Sequence, residues 1–314
     1  MRLLFIALAL LLVMPASARG EDEPFHAGVA RIAVAADVPF DALIWYPAEV
    51  AGPPWQVGPF LLPASHGAKL AAGVFPILLL SHGGGESGGS PLILSGLSAA
   101  LARHGFVVVA PFHGTAALSL RPLQIQLALD AVLDDPRFKP HVDPGRLGML
   151  GFSLGGAVTL ELAGAMPDWS HLTAYCSIHP DDEMSCNHGP RGPRGTGRPA
   201  VPSALPLKAI VLLDPFAVPF QRDGLTNVTM PALLFRPEQS ALSADGNAAA
   251  LVAALPHPPR YETLPGGHFV FADVCTLALL AAEPALCRDP PGVDRAAIHR
   301  GIETKIAAFF RDSL

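Results

Sequence analysis

The chain has 314 residues, half of them hydrophobic, and its 27 acidic side chains outnumber 21 basic ones, for a formal net charge of −6. That length holds one large α/β domain with a substantial core. The mild acidity argues against a nucleic-acid partner, which needs a basic stripe, and against anionic membrane surfaces, while small neutral substrates remain open.

The first stretch, "MRLLFIALALLLVMPASARG", reads as an export signal. Arg2 supplies a positive start, Leu3 to Met14 a short apolar core, and Ala16-Ser17-Ala18 a small-x-small cleavage site. The run is short for hydrocarbon about 30 Å thick, so cleavage near Ala18 is expected rather than anchoring. The division is therefore a signal peptide over 1–18 and a single domain over 19–314, exported to the periplasm or the medium. No later run is long and apolar enough for stable membrane insertion.

After that segment, "ARIAV" and "DALIWYP" have the look of an N-terminal antiparallel pair. Then come "FPILLLSHGGG", "GFVVVAPFHG", "RLGMLGFS", "LKAIVLLDP", "PALLFRP" and "RYETLPGGH", mostly solid apolar runs, as strands buried on both faces should be. Helical patterns separate them: "SGLSAALARHG", "SLRPLQIQLALDAVLDD", "GGAVTLELAGAM" and "ADGNAAALVAAL", with "DRAAIHRGIETKIAAFFRDSL" closing the chain. This alternation predicts an α/β fold with a mostly parallel, doubly wound sheet. Residues 187–202, "NHGPRGPRGTGRPAVP", break the pattern and are expected to form a mobile loop. The four cysteines fall into two close pairs, Cys176 with Cys186 and Cys275 with Cys287. Export and short separations favour local disulfides, since these spacings lack the tight C-x2-C geometry of zinc sites.

Chemistry concentrates at "LGFSLGG", where Gly151-Phe152-Ser153-Leu154-Gly155 matches G-x-S-x-G between a strand and a helix. That context is what a nucleophile elbow requires: a turn so sharp that the Ser153 hydroxyl is exposed and neighbouring positions stay small. A serine is nearly inert without a base in hydrogen-bond reach. Of twelve histidines, only His257, His268 and His299 lie beyond Asp214. His257 sits in a proline-bound loop and His299 within the terminal helix, where a surface-facing imidazole is expected. His268 follows a strand and two glycines, so it is the expected base, in the chain order Ser…Asp…His.

Two strand ends compete for the orienting acid. Asp214 ends "AIVLLDPF", whereas "LLFRPEQSALSAD" places Ser240 at the other position, leaving Glu238 or Asp245 as the carboxylate there. Asp214 is favoured, with Glu238 next. The run His82-Gly83-Gly84-Gly85 supplies an oxyanion segment, with one donor N–H from Gly84 and the other from Leu154. A phosphate loop would need the lysine of G-x-x-x-x-G-K-[ST], which is missing. His82 reads as a structural hydrogen-bonder. Loops at the same sheet edge carry Phe112, Phe216, Phe220 and Phe269, candidates for lining an apolar substrate pocket. His171, His179 and His188 lack the spacing of a metal site, so no metal ligand is assigned.

With serine, acid, base and oxyanion segment in order, the chain resembles α/β-hydrolases, and within them platelet-activating-factor acetylhydrolase and dienelactone-hydrolase-like esterases. The resemblance covers nearly all of the chain after the leader and rests on "IWYPA", "LLLSHGGG", "GFSLGG", "LLDPF" and "GGHFVFAD". It implies the α/β-hydrolase fold, an acid after the strand that ends at Asp214, and hydrolysis of a small-molecule ester without cofactor or calcium. Dienelactone hydrolases use a cysteine where this chain has Ser153, and the 187–202 insertion departs from the acetylhydrolase pattern, so the natural substrate stays open. An amidase or peptidase on the same fold, and a secreted binding protein without turnover, are the rival readings.

Overall fold

The computed structural model describes residues 23–84, 89–186 and 203–314. The expected signal peptide, Gly85 of the oxyanion run and the 187–202 loop lie outside these residues.

Eleven strands are present among the described residues: β1 (His26–Val34), β2 (Phe40–Ala48), β3 (Trp55–Val57), β4 (Phe60–Leu62), β5 (Ser65–His66), β6 (Phe75–Ser81), β7 (Val107–Pro111), β8 (Val142–Phe152), β9 (Ala209–Leu213), β10 (Ala232–Gln239) and β11 (Arg260–Gly267). Nine of them form one sheet in the order β11-β10-β9-β8-β6-β7-β2-β1-β5. From β7 to β11 every pairing is parallel, while β2 runs antiparallel to both β1 and β7. The expected N-terminal antiparallel pair and parallel body are both present. β3 and β4 make a separate small hairpin that the sequence reading did not include.

The helices are α1 (Ser95–Arg103), α2 (Arg121–Asp134), α3 (Leu154–Leu162), α4 (Trp169–Ile178), α5 (Glu183–Cys186), α6 (Ala248–Ala254), α7 (Leu277–Ala282) and α8 (Arg295–Ser313). The helices cover both faces of the sheet. Along β6, Ile77 and Leu79 face one core with residues of α2 and α3, while Leu78 and Leu80 face the other with residues of α1 and α8. Alternate side chains pointing to opposite, equally dry faces explain the unbroken apolar runs.

Both cysteine pairs are joined, Cys176 to Cys186 and Cys275 to Cys287. The first ties the end of α4 to α5. The second closes the segment containing α7. No helix among the described residues is long and apolar enough to cross a membrane.

His299 departs from expectation. It is buried on the inner side of α8, and its Nε2 lies 2.8 Å from the Val270 carbonyl, so it braces the turn after His268. Desolvation lowers its pKa below the ordinary imidazole value.

Candidate active site

β8 runs into α3 through Ser153, whose backbone takes φ 54° and ψ −118°. Among the described residues only Ser153 and Asp214 combine a side chain with positive φ. Such strain persists only where surrounding contacts over-determine it. Here Ser153 N–H donates to the Leu213 carbonyl at 3.0 Å, and its own carbonyl accepts from Gly156 at 2.9 Å and Phe216 at 3.0 Å. Neighbouring glycines make the turn sterically feasible. A Cβ on Gly151 would meet the Gly155 carbonyl oxygen at 2.1 Å, and one on Gly155 would meet the Ser81 carbonyl oxygen at 1.8 Å. Gly155 therefore sets how closely α3 approaches β6. Gly156 gives way to Pro215, 2.5 Å from where its Cβ would lie.

The strand ends bring the three expected side chains together. His268 Nε2 lies 3.0 Å from Ser153 Oγ, across 115 residues of chain, and its Nδ1 lies 2.6 Å from Asp214 Oδ2. A carboxylate only accepts, so Nδ1 carries the proton and Nε2 is left to accept from the serine. Asp214 and His268 are 1% and 5% exposed, and Ser153 is 9% exposed. Phe152 packs against the imidazole, with ring centroids 4.9 Å apart and planes tilted by 30°. Gly266, at φ +119°, supplies the turn that delivers His268, and a Cβ there would also strike Val270 at 2.8 Å. Past His268, Asp273 accepts from the Gly96 N–H at 2.9 Å and the Ser95 hydroxyl at 2.5 Å, anchoring this segment to α1. Burial pushes the Asp273 carboxyl up to about 7.

Glu238, the other carboxylate open from sequence, is exposed near the end of β10, and Asp245 is exposed as well. Ser240 takes a part that sequence did not indicate: its hydroxyl donates to Oδ2 of Asp214, the oxygen that faces His268. At the serine-side strand end, then, β9 presents a carboxylate and β10 a hydroxyl.

The oxyanion segment lies against the elbow. A Cβ on Gly83 would sit 3.3 Å from the Ser153 Cβ, and one on Gly84 would sit 2.6 Å from Leu154 Cδ1. Leu154 is the first residue of α3, so its N–H is one of the helix's orphan donors. Neither its amide nor that of Gly84 donates a backbone hydrogen bond among the described residues. N–H groups with no backbone acceptor among the described residues, on segments packed against the Ser153 turn, suit a developing alkoxide.

Behind this segment lies a polar cluster absent from the sequence reading. His82 Nε2 accepts from the His113 N–H at 3.3 Å, and His82 Nδ1 lies 2.8 Å from the Gly83 carbonyl. His113 bridges Ser81 Oγ at 2.9 Å and Gln124 Oε1 at 2.8 Å. Arg121 Nη1 donates to the carbonyls of His82 and Gly83, each at 3.2 Å. Burial, reinforced by the Arg121 charge, lowers His82 to about 3, so both its ring roles belong to the neutral form. The expectation that His82 is a structural hydrogen-bonder agrees with this placement. Arg121, His113 and Gln124 gave no signal beyond their places in a loop and a helix pattern.

The four phenylalanines separate. Phe216 and Phe220 are packed into the core at 1% and 3% exposure, which corrects the expectation that they offer a face to substrate. Phe112 and Phe269 are half-buried. The Phe112 ring lies under the Arg31 guanidinium at 5.2 Å, and the Phe269 ring meets His268 edge-on at 5.1 Å. His171 and His179 lie on α4 and at its end, and His188 falls outside the described residues.

The fold is similar to that of a ferulic acid esterase from Streptomyces cinnamoneus, with a TM-score of 0.61 over 95% of this chain and 92% of that one, at 20% sequence identity. This likeness, with the parallel sheet and its covering helices, is that of an α/β-hydrolase fold. No protein-family model matches the chain, and no curated protein matches it in sequence.

Proposed function

We propose that the chain is a serine carboxylic-ester hydrolase working through an acyl-enzyme, within the acetylhydrolase and dienelactone-hydrolase-like esterases that its motifs resemble. The observation that carries this reading is the continuous path from Ser153 Oγ through His268 to Asp214, beside Gly84 and Leu154, whose amides donate no backbone hydrogen bond among the described residues. In the first step Ser153 attacks the ester carbonyl while His268 takes its proton and Asp214 stabilises the imidazolium. The amides of Gly84 and Leu154 hold the oxyanion. His268 then gives the proton to the departing alcohol. A water activated the same way releases the acid and restores the serine. No step calls on a metal or cofactor.

Half-buried Phe112 and Phe269 support an apolar or aromatic group on the substrate. The structural neighbour's name makes methyl ferulate a reasonable member of a substrate panel. Two disulfides suit an oxidising compartment, in keeping with export.

The test combines labelling and turnover. A serine-directed fluorophosphonate should label wild type at Ser153 and leave Ser153→Ala unlabelled. p-Nitrophenyl esters from acetyl to palmitoyl, with methyl ferulate, should be hydrolysed faster than the matching p-nitroanilide. A folded protein that neither labels nor turns over any ester would overturn the reading. A faster anilide would make it an amidase.

A further inference from the structure

The peptide joining Gly83 to Gly84 has its two polar ends in different surroundings. Its nitrogen belongs to Gly84, which packs on the elbow so closely that a Cβ there would lie 2.6 Å from Leu154 Cδ1. Its carbonyl oxygen, on Gly83, points into the buried cluster and meets two donors, His82 Nδ1 at 2.8 Å and Arg121 Nη1 at 3.2 Å. A planar trans peptide aims its C=O and N–H in opposite directions, so holding one end aims the other.

The tautomers follow from the partners. The backbone N–H of His113 can only donate, so His82 Nε2 accepts it and Nδ1 carries the proton given to Gly83. On this arrangement the Gly83 oxygen receives one neutral and one cationic donor. Arg121 also holds the preceding carbonyl, that of His82, at 3.2 Å, so two successive peptides hang on one guanidinium. The side chain is 3% exposed at the start of α2. Burial lowers it only to about 10, which leaves it charged at neutral pH.

Resting on the hydrolase reading above, we infer that Arg121 is a positioning residue for the oxyanion site: by binding the Gly83 carbonyl it aims the Gly84 N–H at the reacting oxygen and strengthens it as a donor. Charge-assisted hydrogen bonds are about twice as strong as neutral ones, and a peptide polarised at its oxygen donates better at its nitrogen. Arg121 touches no reacting atom. Its effect belongs to the step in which negative charge appears, not to substrate binding.

The test uses the full mature chain, as wild type, Arg121→Gln and Arg121→Lys, with folding checked by circular dichroism and thermal melting. Each is assayed for kcat and KM on p-nitrophenyl acetate. Each is also assayed for inhibition by trifluoroacetophenone, whose serine adduct carries the oxyanion. Arg121→Gln should lower kcat about 10- to 100-fold with little change in KM, because an oxyanion donor is weakened rather than removed. Ketone affinity should fall by the same factor, and the pH profile of kcat/KM should keep its position. Arg121→Lys, which keeps a cation without the fork, should fall between. Unchanged kcat in a folded variant overturns the inference, and so does a loss of kcat with ketone affinity intact. Should Arg121→Gln fail to fold, the parallel between kcat and ketone affinity in Arg121→Lys decides. A wild type without esterase activity sinks the hydrolase reading itself, whereas active wild type with indifferent variants sinks only the role of Arg121.

Discussion

Ser240, just past β10, donates its hydroxyl to Oδ2 of Asp214, just past the neighbouring β9. Because the same oxygen lies 2.6 Å from His268 Nδ1, the hydroxyl supports the carboxylate without competing for the role of acid. Ser240→Ala should lower kcat/KM by about tenfold, the worth of one hydrogen bond to a charged group. Asp214→Asn should cost about 10⁴ in kcat, since the imidazole loses its tautomer control. Steady-state kinetics on p-nitrophenyl acetate measure both. A larger loss from Glu238→Gln than from Asp214→Asn would mean the acid is wrongly assigned.

Glycine substitutions should separate contact from conformation. Gly155→Ala forces a methyl to within 1.8 Å of the Ser81 backbone oxygen, which cannot move without parting α3 from β6. The expected cost is about 3 kcal/mol or more, with loss of activity. Gly301→Ala, inside α8 with nothing within 4 Å of the new methyl, should stabilise by about 0.5–1 kcal/mol. Thermal melts of the two variants should shift in opposite directions.

The bridge between Cys275 and Cys287 closes a loop of sequence separation 12 just downstream of His268. Loop-closure entropy assigns it about 3 kcal/mol. The double Cys275→Ser, Cys287→Ser variant should melt several degrees lower than wild type. An unchanged melting temperature would show that the unfolded chain gains no freedom from the cut.

Burial at the end of α3 raises the carboxyl of Glu161 to about 7, and its Oε1 has no hydrogen-bond partner among the described residues. The folded chain therefore keeps a proton that the unfolded chain has released, and stability falls as pH rises from about 4.5 towards 7. Glu161→Gln removes that term. It should gain on the order of 1–2 kcal/mol over wild type at pH 8 and little at pH 5. His82 works in the opposite sense. Neutral in the fold down to about 3, it costs stability as pH falls below the ordinary imidazole range. Denaturant melts across pH read the difference, and parallel curves for the Glu161 pair would refute it.

The elbow was legible because its constraints are local. Gly151, Ser153 and Gly155 sit within one turn, and each spacing has a steric reason that sequence alone displays. His268 was legible by elimination and by the glycine before the turn it needs. The missed elements had weaker local signals. α4 begins at an Asp168 cap but carries Trp169, Thr173, Tyr175, Cys176 and Ile178, poor helix formers that packing overrides. His299 was expected at the surface because its side chain is polar, yet it lies at helical spacing from Ile302, Ile306 and Phe309, on the apolar stripe of α8 that faces the core. Phe216 and Phe220 follow β9 and Asp214, and only the fold shows them turning into the core.

Patterns written along the chain singled out Ser153, His268 and the candidate carboxylates, since each rests on residues close in sequence or on a fixed chain order, and they favoured the local pairing of cysteines without fixing it. That Asp214 meets His268, that the Ser240 hydroxyl lies behind Asp214 and that the Arg121 guanidinium lies behind the Gly83 carbonyl were decided by tertiary structure. These contacts join elements whose relative placement comes from burying two faces of one sheet. Side-chain direction across such a junction differs by ångströms, a distance that hydropathy and spacing do not encode.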